Sequence, residues 1–227
     1  MTTDAARTGH AALMDSVYKG QRHLYDLTRK YYLFGRDTLI EGLNAHPGMQ
    51  VLEVACGTGR NMAKVRQRWP GVKLYGLDIS EEMLKNARKA VGEDAVLGAG
   101  DACSFDAQDL LGEDDFDRII LSYSLSMIPD WEGALEHAAA NLAPGGELHV
   151  VDFGDLTGLP GLLEKALHAW LAKFHVQTRS ALPQACERIA AARGLSLTSS
   201  RGKLGYFQLH VLRSGRGCRE GTKRFPT

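Results

Sequence analysis

From Met49 onward the chain sets short apolar runs against stretches in which apolar residues recur every three or four positions, predicting strands and helices in alternation. M-Q-V-L-E-V-A reads as a buried strand that runs into a glycine-rich turn, and Asn61 to Trp69 as a helix stopped by Pro70-Gly71. K-L-Y-G-L-D is the second strand. Ser80 then stands as an N-cap, with Glu81 and Glu82 in the first turn where the helix dipole favours acids. Met83, Ala87 and Ala90 form the apolar stripe of that helix. A-V-L-G is a third strand leading to Gly100-Asp101, and D-R-I-I-L-S-Y a fourth whose continuous apolar run suits the middle of a sheet. Trp131, Ala134, Leu135, Ala138 and Leu142 recur at helical spacing until Ala143-Pro144-Gly145-Gly146 ends the helix in a sharp turn. E-L-H-V-V-D-F is the fifth strand, and strands alternating with helices in this way predict a parallel α/β sheet.

The remainder departs from simple alternation. Leu159, Leu162, Leu163, Ala166, Leu167, Trp170, Leu171 and Phe174 fall on one helical face, and a second helix is expected from Pro183 to Arg193. L-S-L-T-S-S-R and Y-F-Q-L-H-V-L-R, joined through Gly202 to Gly205, predict an antiparallel hairpin. Residues 214–227 are polar and glycine-rich and are expected to be a disordered tail. The expected organisation is one domain over 1–213. It holds a helical lid (1–45), a central core (48–155), a helical insert (156–193) and the terminal hairpin (195–213).

Composition narrows the classes without choosing among them. With 44% hydrophobic and 24% charged residues in 227, the chain has enough apolar material for a buried core. The first ten residues carry no apolar run of the secretory kind, and the longest mostly apolar stretch, Ile119 to Pro129, falls far short of the roughly 20 residues a spanning helix needs. Cys56, Cys103, Cys186 and Cys218 show no CxxC pair, so neither a disulfide framework nor a metal site is expected, and the cytoplasm is the expected compartment. The formal net charge is zero, yet residues 41–159 hold nine Lys/Arg against twenty Asp/Glu, and residues 160–227 hold twelve against three. That segregation predicts a basic face able to meet anionic phosphates, on lipid headgroups or on nucleic acid.

The sharpest chemical signal is V-L-E-V-A-C-G-T-G-R. A strand runs into Gly57-Thr58-Gly59, where missing side chains let backbone approach a ligand, and a helix N-terminus follows. Asp78 lies 21 residues after Gly57 at the end of the next strand, where a carboxylate can accept both hydroxyls of a ribose. The position that carries a third small residue in dinucleotide sites is Met62, and Glu53 would repel a pyrophosphate but could hold an ammonium. Both details point to S-adenosylmethionine.

On these residues the chain resembles the class I S-adenosylmethionine-dependent methyltransferases. E-V-A-C-G-T-G, L-D-I-S, G-D-A, I-I-L-S-Y-S-L and L-A-P-G-G occur in that family's order across residues 48–153, with Ala55 where many members have glycine. The resemblance implies a Rossmann-like sheet of seven mostly parallel strands with an antiparallel last strand and helices on both faces. It implies that Glu53 faces the methionyl amine and that backbone at Gly57 and Gly59 passes the methionyl part. Asp78 would hold the ribose, and Ile79 would pack on adenine. Asp101 and Ala102 would meet the adenine edge, and Ser122 and Tyr123 would lie near the transferring methyl.

Residues 17–37 mix aromatics with cations. Tyr18, Tyr25, Tyr31, Tyr32 and Phe34 could line a lid whose ring faces attract a sulfonium or a methylated ammonium, at roughly 0.5–2 kcal/mol each. Arg36 could pair with the methionyl carboxylate, and Arg22, Arg29 or Lys30 with an acid on the acceptor. Y-D-L-T-R-K-Y-Y-L-F-G-R-D and F-H-V-Q-T-R are similar to the bacterial diacylglyceryl-homoserine N-methyltransferases of betaine-lipid synthesis. That likeness makes His175 and Arg179 acceptor-side candidates, and implies three successive methylations of a lipid amine at a membrane surface. Tyr123, Tyr25 or a water would accept the proton as the amine attacks. Quinone C-methyltransferases and phosphatidylethanolamine N-methyltransferases share parts of the pattern and stay open as alternatives, as does a non-catalytic S-adenosylmethionine-binding regulator. N-P-P-Y and Pro-Cys motifs of DNA methylation are missing, and no nucleic-acid-binding module is visible, so no nucleic acid is expected as partner. Oligomeric state is not readable from the sequence.

Overall fold

In the computed structural model, residues 33–158, 160–161 and 177–215 are described. A short helix α1 (Arg36–Gly42) precedes β1 (Gln50–Val54), and three strand–helix units follow. These are α2 (Arg60–Arg68) with β2 (Lys73–Asp78), α3 (Glu81–Val91) with β3 (Ala95–Ala99), and α4 (Ala107–Leu111) with β4 (Phe116–Ser122). Then come α5 (Trp131–Ala140), β5 (Leu142–Phe153), α6 (Leu182–Arg193), β6 (Ser196–Arg201) and β7 (Phe207–Arg213).

The seven strands form one sheet in the order β3-β2-β1-β4-β5-β7-β6. β1 pairs in parallel with both β2 and β4, and β4 with β5, whereas β7 runs antiparallel to β5 on one side and to β6 on the other. Only β7 therefore runs against the rest. The chain leaves β1 outward toward β3 and returns on the other side to β4, so the switch point lies between β1 and β4. Open α/β sheets bind ligands in the crevice at the carboxyl ends of strands at such a point.

Alternating side chains fill two cores, one on each face. Leu52, Val54, Ile119, Leu121, Leu148 and Val150 meet α5 and α6 on one face. Val51, Ile120, Val151 and Phe153 meet α1, α2 and α3 on the other. Ser80 caps α3, its hydroxyl accepting from the Met83 N–H at 3.3 Å. The buried stripe of α3 is Met83, Leu84, Ala87 and Val91, and Ala90 is exposed. Spacing alone allows 83-87-90 or 84-87-91, and the bulkier Leu84 and Val91 take the core. α5 stops at Ala140 rather than carrying Leu142, because Leu142 already pairs with Phe116. The Ala143–Gly146 turn is absorbed as an irregularity of β5, whose register resumes at Arg118↔Glu147.

The apolar face expected from Leu159 to Phe174 and the tail from 216 onward lie outside the described residues. Ser214 and Gly215, assigned to that tail, bond to the turn of β5: Ser214 N–H donates to the Gly146 carbonyl at 2.9 Å and Gly145 N–H to the Gly215 carbonyl at 3.0 Å. Among the described residues no helix is long and apolar enough to cross a membrane.

Candidate active site

A cavity of about 270 Å³ opens at the carboxyl ends of β1, β2 and β4. Glu53, Ala55–Thr58, Arg60 and Asn61 form its floor, Asp78, Ile79 and Met83 one wall, Ser122–Ser124 with Met127 and Ile128 the opposite wall, and Leu33 and Arg36 its rim. The turn after β1 runs left-handed, with Ala55, Gly57 and Gly59 at φ of 56°, 56° and 73°, and only Ala55 is strained by it. Gly57 and Gly59 need glycine for different reasons. A Cβ on Gly57 would meet no atom within 4 Å, so the residue leaves room on the cavity floor. A Cβ on Gly59 would come within 3.0 Å of the Ala87 Cα, so that glycine serves the packing of α2 on α3. Gly59 itself does not line the cavity.

Asp78 locks this turn. One carboxylate oxygen accepts the Gly57 N–H at 2.8 Å and the other the Ser80 N–H at 2.9 Å. Each oxygen keeps lone-pair capacity that a ligand hydroxyl can use. Glu53 is 3% exposed, and one oxygen accepts from the Asn61 amide at 2.7 Å while the other has no partner. Burial pushes its pKa from 4.5 up to about 8, although the Asn61 bond and nearby Arg36 favour the charged form. A buried carboxyl with one empty oxygen on a cavity floor suits a ligand cation. Ser122 and Ser124 also carry buried hydroxyls without partners.

The wall opposite Asp78 is a loop held from behind. Tyr123 has φ 56° and is 1% exposed; its N–H donates to the Val151 carbonyl at 2.8 Å, and its phenol donates to the Phe34 carbonyl. Burial pushes its pKa well above 10. Tyr123, expected to accept a proton, uses its phenol to clamp the segment entering α1, and burial holds that phenol in its protonated form. Arg179, expected to meet the acceptor, instead forks onto loop carbonyls. Its Nε donates to Leu125 at 3.0 Å and one Nη to Ile128 at 2.9 Å, with the guanidinium 5.7 Å from the centre of the Trp131 ring. The fully buried Asp152 accepts the Ser126 N–H at 3.0 Å, and burial raises its pKa from 3.8 to about 6. Gln208 ties Arg179 to β5 by donating to the Arg179 and Phe153 carbonyls at 3.1 and 2.8 Å.

Of the sequence candidates, Arg36, Glu53, Gly57, Asp78, Ile79, Ser122 and Tyr123 converge on the cavity. Asp101 and Ala102 do not line it: Asp101 accepts the Cys103 N–H at 2.9 Å within its own turn, and Ala102 packs into the core. Tyr18, Arg22, Tyr25, Arg29, Lys30, Tyr31, Tyr32 and His175 lie outside the described residues. Sequence reasoning missed Asn61, Ser124, Met127 and Ile128. Asn61 is recoverable, because it sits eight residues after Glu53 at the start of the following helix. The other three have no local motif. Among the described residues no group of His, Cys, Asp and Glu could hold a metal ion.

The profile of a methyltransferase domain family matches residues 51–146. Over 150 residues, 63% of this chain and 72% of the relative, the sequence is 30% identical to a phosphatidylethanolamine N-methyltransferase of Cereibacter sphaeroides. The chain belongs to the class I S-adenosylmethionine-dependent methyltransferases. This methyltransferase is also 30% identical to the ubiquinone/menaquinone biosynthesis C-methyltransferase UbiE of Shewanella halifaxensis, over 63% of the chain and 60% of the relative. It is 32% identical to methyltransferase GfsG of Streptomyces halstedii over 51% of the chain but only 42% of that protein. The chain thus spans less than two thirds of these last two relatives. Its fold superposes on the plantazolicin methyltransferase BpumL, solved with SAH, with a TM-score of 0.71 at 16% identity, over 93% of the chain and 98% of that structure. S-adenosylmethionine is the cofactor of the methyltransferase, and the partnerless Glu53 oxygen in a glycine-floored cavity fits a ligand that carries an ammonium.

Proposed function

We propose that this methyltransferase transfers methyl groups to the amine of a lipid headgroup, diacylglyceryl-homoserine, three times in succession, while resting on a membrane surface. The observation that carries an amine acceptor is the make-up of the cavity wall. Among the described residues the carboxylates that line it, Glu53 and Asp78, stand at the cofactor end, and the opposite wall offers Ser122, Ser124, Met127 and Ile128. A neutral amine needs no resident strong base, because water can take its proton, whereas a ring carbon needs stabilisation of a phenolate-like acceptor. The two serine hydroxyls can accept from the amine N–H groups and orient them. The likeness to a phosphatidylethanolamine N-methyltransferase supports the same class.

S-adenosylmethionine supplies a methyl group on a positively charged sulfur, open to in-line attack. In this reading Glu53 holds the ammonium of the methionyl end and Asn61 orients Glu53. Arg36 faces the methionyl carboxylate, Asp78 the ribose, and Ile79 the adenine. Asp101 and Ala102 keep a place near the adenine edge only if that turn closes inward on binding. The wall holds the acceptor nitrogen against the methyl, and such positioning supplies much of the acceleration. Residues 1–45 form the lid of this reading, with Tyr18, Tyr25, Tyr31 and Tyr32 around the growing cation, and His175 on the acceptor side. The test is transfer of labelled methyl into vesicle-presented diacylglyceryl-homoserine, phosphatidylethanolamine and a demethylated quinol. Label that accumulates as a trimethylated homoserine lipid supports the reading. Preferential labelling of the quinol ring would refute it.

A further inference from the structure

We propose that the tip of the β6–β7 hairpin, Arg201–Phe207, together with Phe34, is the element with which the enzyme enters an anionic lipid surface, bringing the cavity mouth to the headgroups. The inference rests on the lipid reading of the acceptor and adds the part of the fold that meets the bilayer.

Three features converge there. First, Phe34 and Leu204 are 57% and 55% exposed, two of the three large apolar side chains so exposed among the described residues. Second, Leu204 sits at φ 58°, ψ 20°, in the left-handed region, inside a single 3₁₀ turn (Lys203–Gly205). Branched residues avoid that conformation, which glycine adopts freely and asparagine tolerates better than leucine. The fold thus holds an apolar side chain outward on a strained backbone. The carbonyl of Leu204 accepts from the Gly158 N–H at 3.2 Å, and that of Gly205 from the Leu156 N–H at 3.0 Å, so the loop after β5 braces the turn from below. Third, the patch is continuous with the rim of the cavity. Phe34 stacks edge-on against Tyr206 at 5.2 Å, Tyr206 against Phe153 at 6.2 Å, and Phe153 against Tyr123 at 4.8 Å. Tyr123 in turn lines the cavity and bonds to the Phe34 carbonyl.

Charge decides the occupant. Residues 195–213 contain Arg201, Lys203 and Arg213 and no Asp or Glu, within the basic C-terminal third. Arg201 is paired with Asp155, and Lys203 is exposed beside Leu204. An apolar wedge flanked by lysine suits the interface of a bilayer carrying anionic headgroups, where each basic residue adds attraction within a Debye length of the surface.

The test is co-sedimentation of the full chain with phosphatidylglycerol–phosphatidylcholine vesicles. Leu204→Asn removes the wedge while suiting the left-handed backbone, so its melting temperature stays level or rises while vesicle affinity falls roughly tenfold. Lys203→Glu lowers affinity for anionic vesicles to a similar degree and leaves the weak binding to pure phosphatidylcholine unchanged. Both variants should retain wild-type S-adenosylmethionine binding. Wild-type vesicle binding that neither substitution weakens would overturn the proposal, as would a wild-type chain that fails to sediment with anionic vesicles. Vesicle binding lost in both variants, with no methyl transfer to any lipid by the wild type, would uphold the docking element and refute the lipid acceptor.

Discussion

Glu53→Gln is predicted to stabilise the unliganded protein and to cripple cofactor binding, and the size of both effects follows from burial. In the folded chain burial raises the Glu53 pKa to about 8 from 4.5. Below pH 4.5 the carboxyl is protonated folded and unfolded alike, and it contributes no pH dependence. Between pH 4.5 and 8 the unfolded chain ionises this group while the folded chain keeps the proton. Stability therefore falls as pH rises through that window, by up to about 1.4 kcal/mol per unit, and levels off above it. The ceiling is about 5 kcal/mol at pH 8 and above. Glutamine cannot ionise, yet its carbonyl can keep the 2.7 Å bond from Asn61. Urea denaturation of the unliganded proteins at pH 5, 7 and 8.5 checks this: the advantage of the variant should be about 1 kcal/mol or less at pH 5 and several kcal/mol at pH 8.5. Cofactor binding moves the other way. An ammonium against the ionised carboxylate is a buried charge pair, and its loss should weaken affinity at least a hundredfold. Calorimetry of the wild type at pH 6.5 in buffers of different ionisation enthalpy should show close to one proton released per S-adenosylmethionine. Parallel stability profiles for the two proteins, or binding without proton release, would refute the placement of Glu53 against a cation.

Four further substitutions separate the roles of the turn and the wall. Arg179→Ala removes both bonds to the Leu125 and Ile128 carbonyls, so KM for the acceptor should rise about tenfold while the cofactor Kd changes less than twofold; steady-state kinetics and calorimetry together read that split. Gly59→Ala, with its Cβ 3.0 Å from the Ala87 Cα, should cost about 1–3 kcal/mol in a thermal melt. Gly57→Ala meets no protein atom, so it should lose cofactor affinity out of proportion to its smaller stability loss. Ala55→Gly relieves a left-handed alanine (φ 56°) and should leave Tm unchanged or raise it slightly.

The cofactor half was legible because its residues are close in sequence. A strand, two glycines, a helix and an acid on the next strand announce themselves within thirty residues, and Asp78 does close onto Gly57. Where two periodic choices competed, bulk decided, as Leu84 and Val91 displaced Ala90. Strand pairing overrode helical spacing at Leu142, and no local pattern announces a partner 26 residues away. The opposite wall was illegible for the same reason on a larger scale. Arg179 meets Leu125 across 54 positions and Ile128 across 51, and its forked guanidinium reads in sequence as a spare surface cation. Tyr123 was found by position after the fourth strand, but the carbonyl of Phe34, 89 residues earlier, determines what its hydroxyl can do.

The clamp on that wall also imposes an order of assembly. Residues 50–128 carry the glycine turn, the acid that locks it and the loop itself, so these leave the ribosome long before the segment that braces the loop. Gln208 lies on β7, the last strand among the described residues, which sits between β5 and β6 rather than at an edge. The brace from Gln208 to the Arg179 and Phe153 carbonyls is in place only once that strand is. The glycine turn and the acid that locks it thus precede, in chain order, the residues that brace the opposite wall, and an unfinished copy lacks that brace.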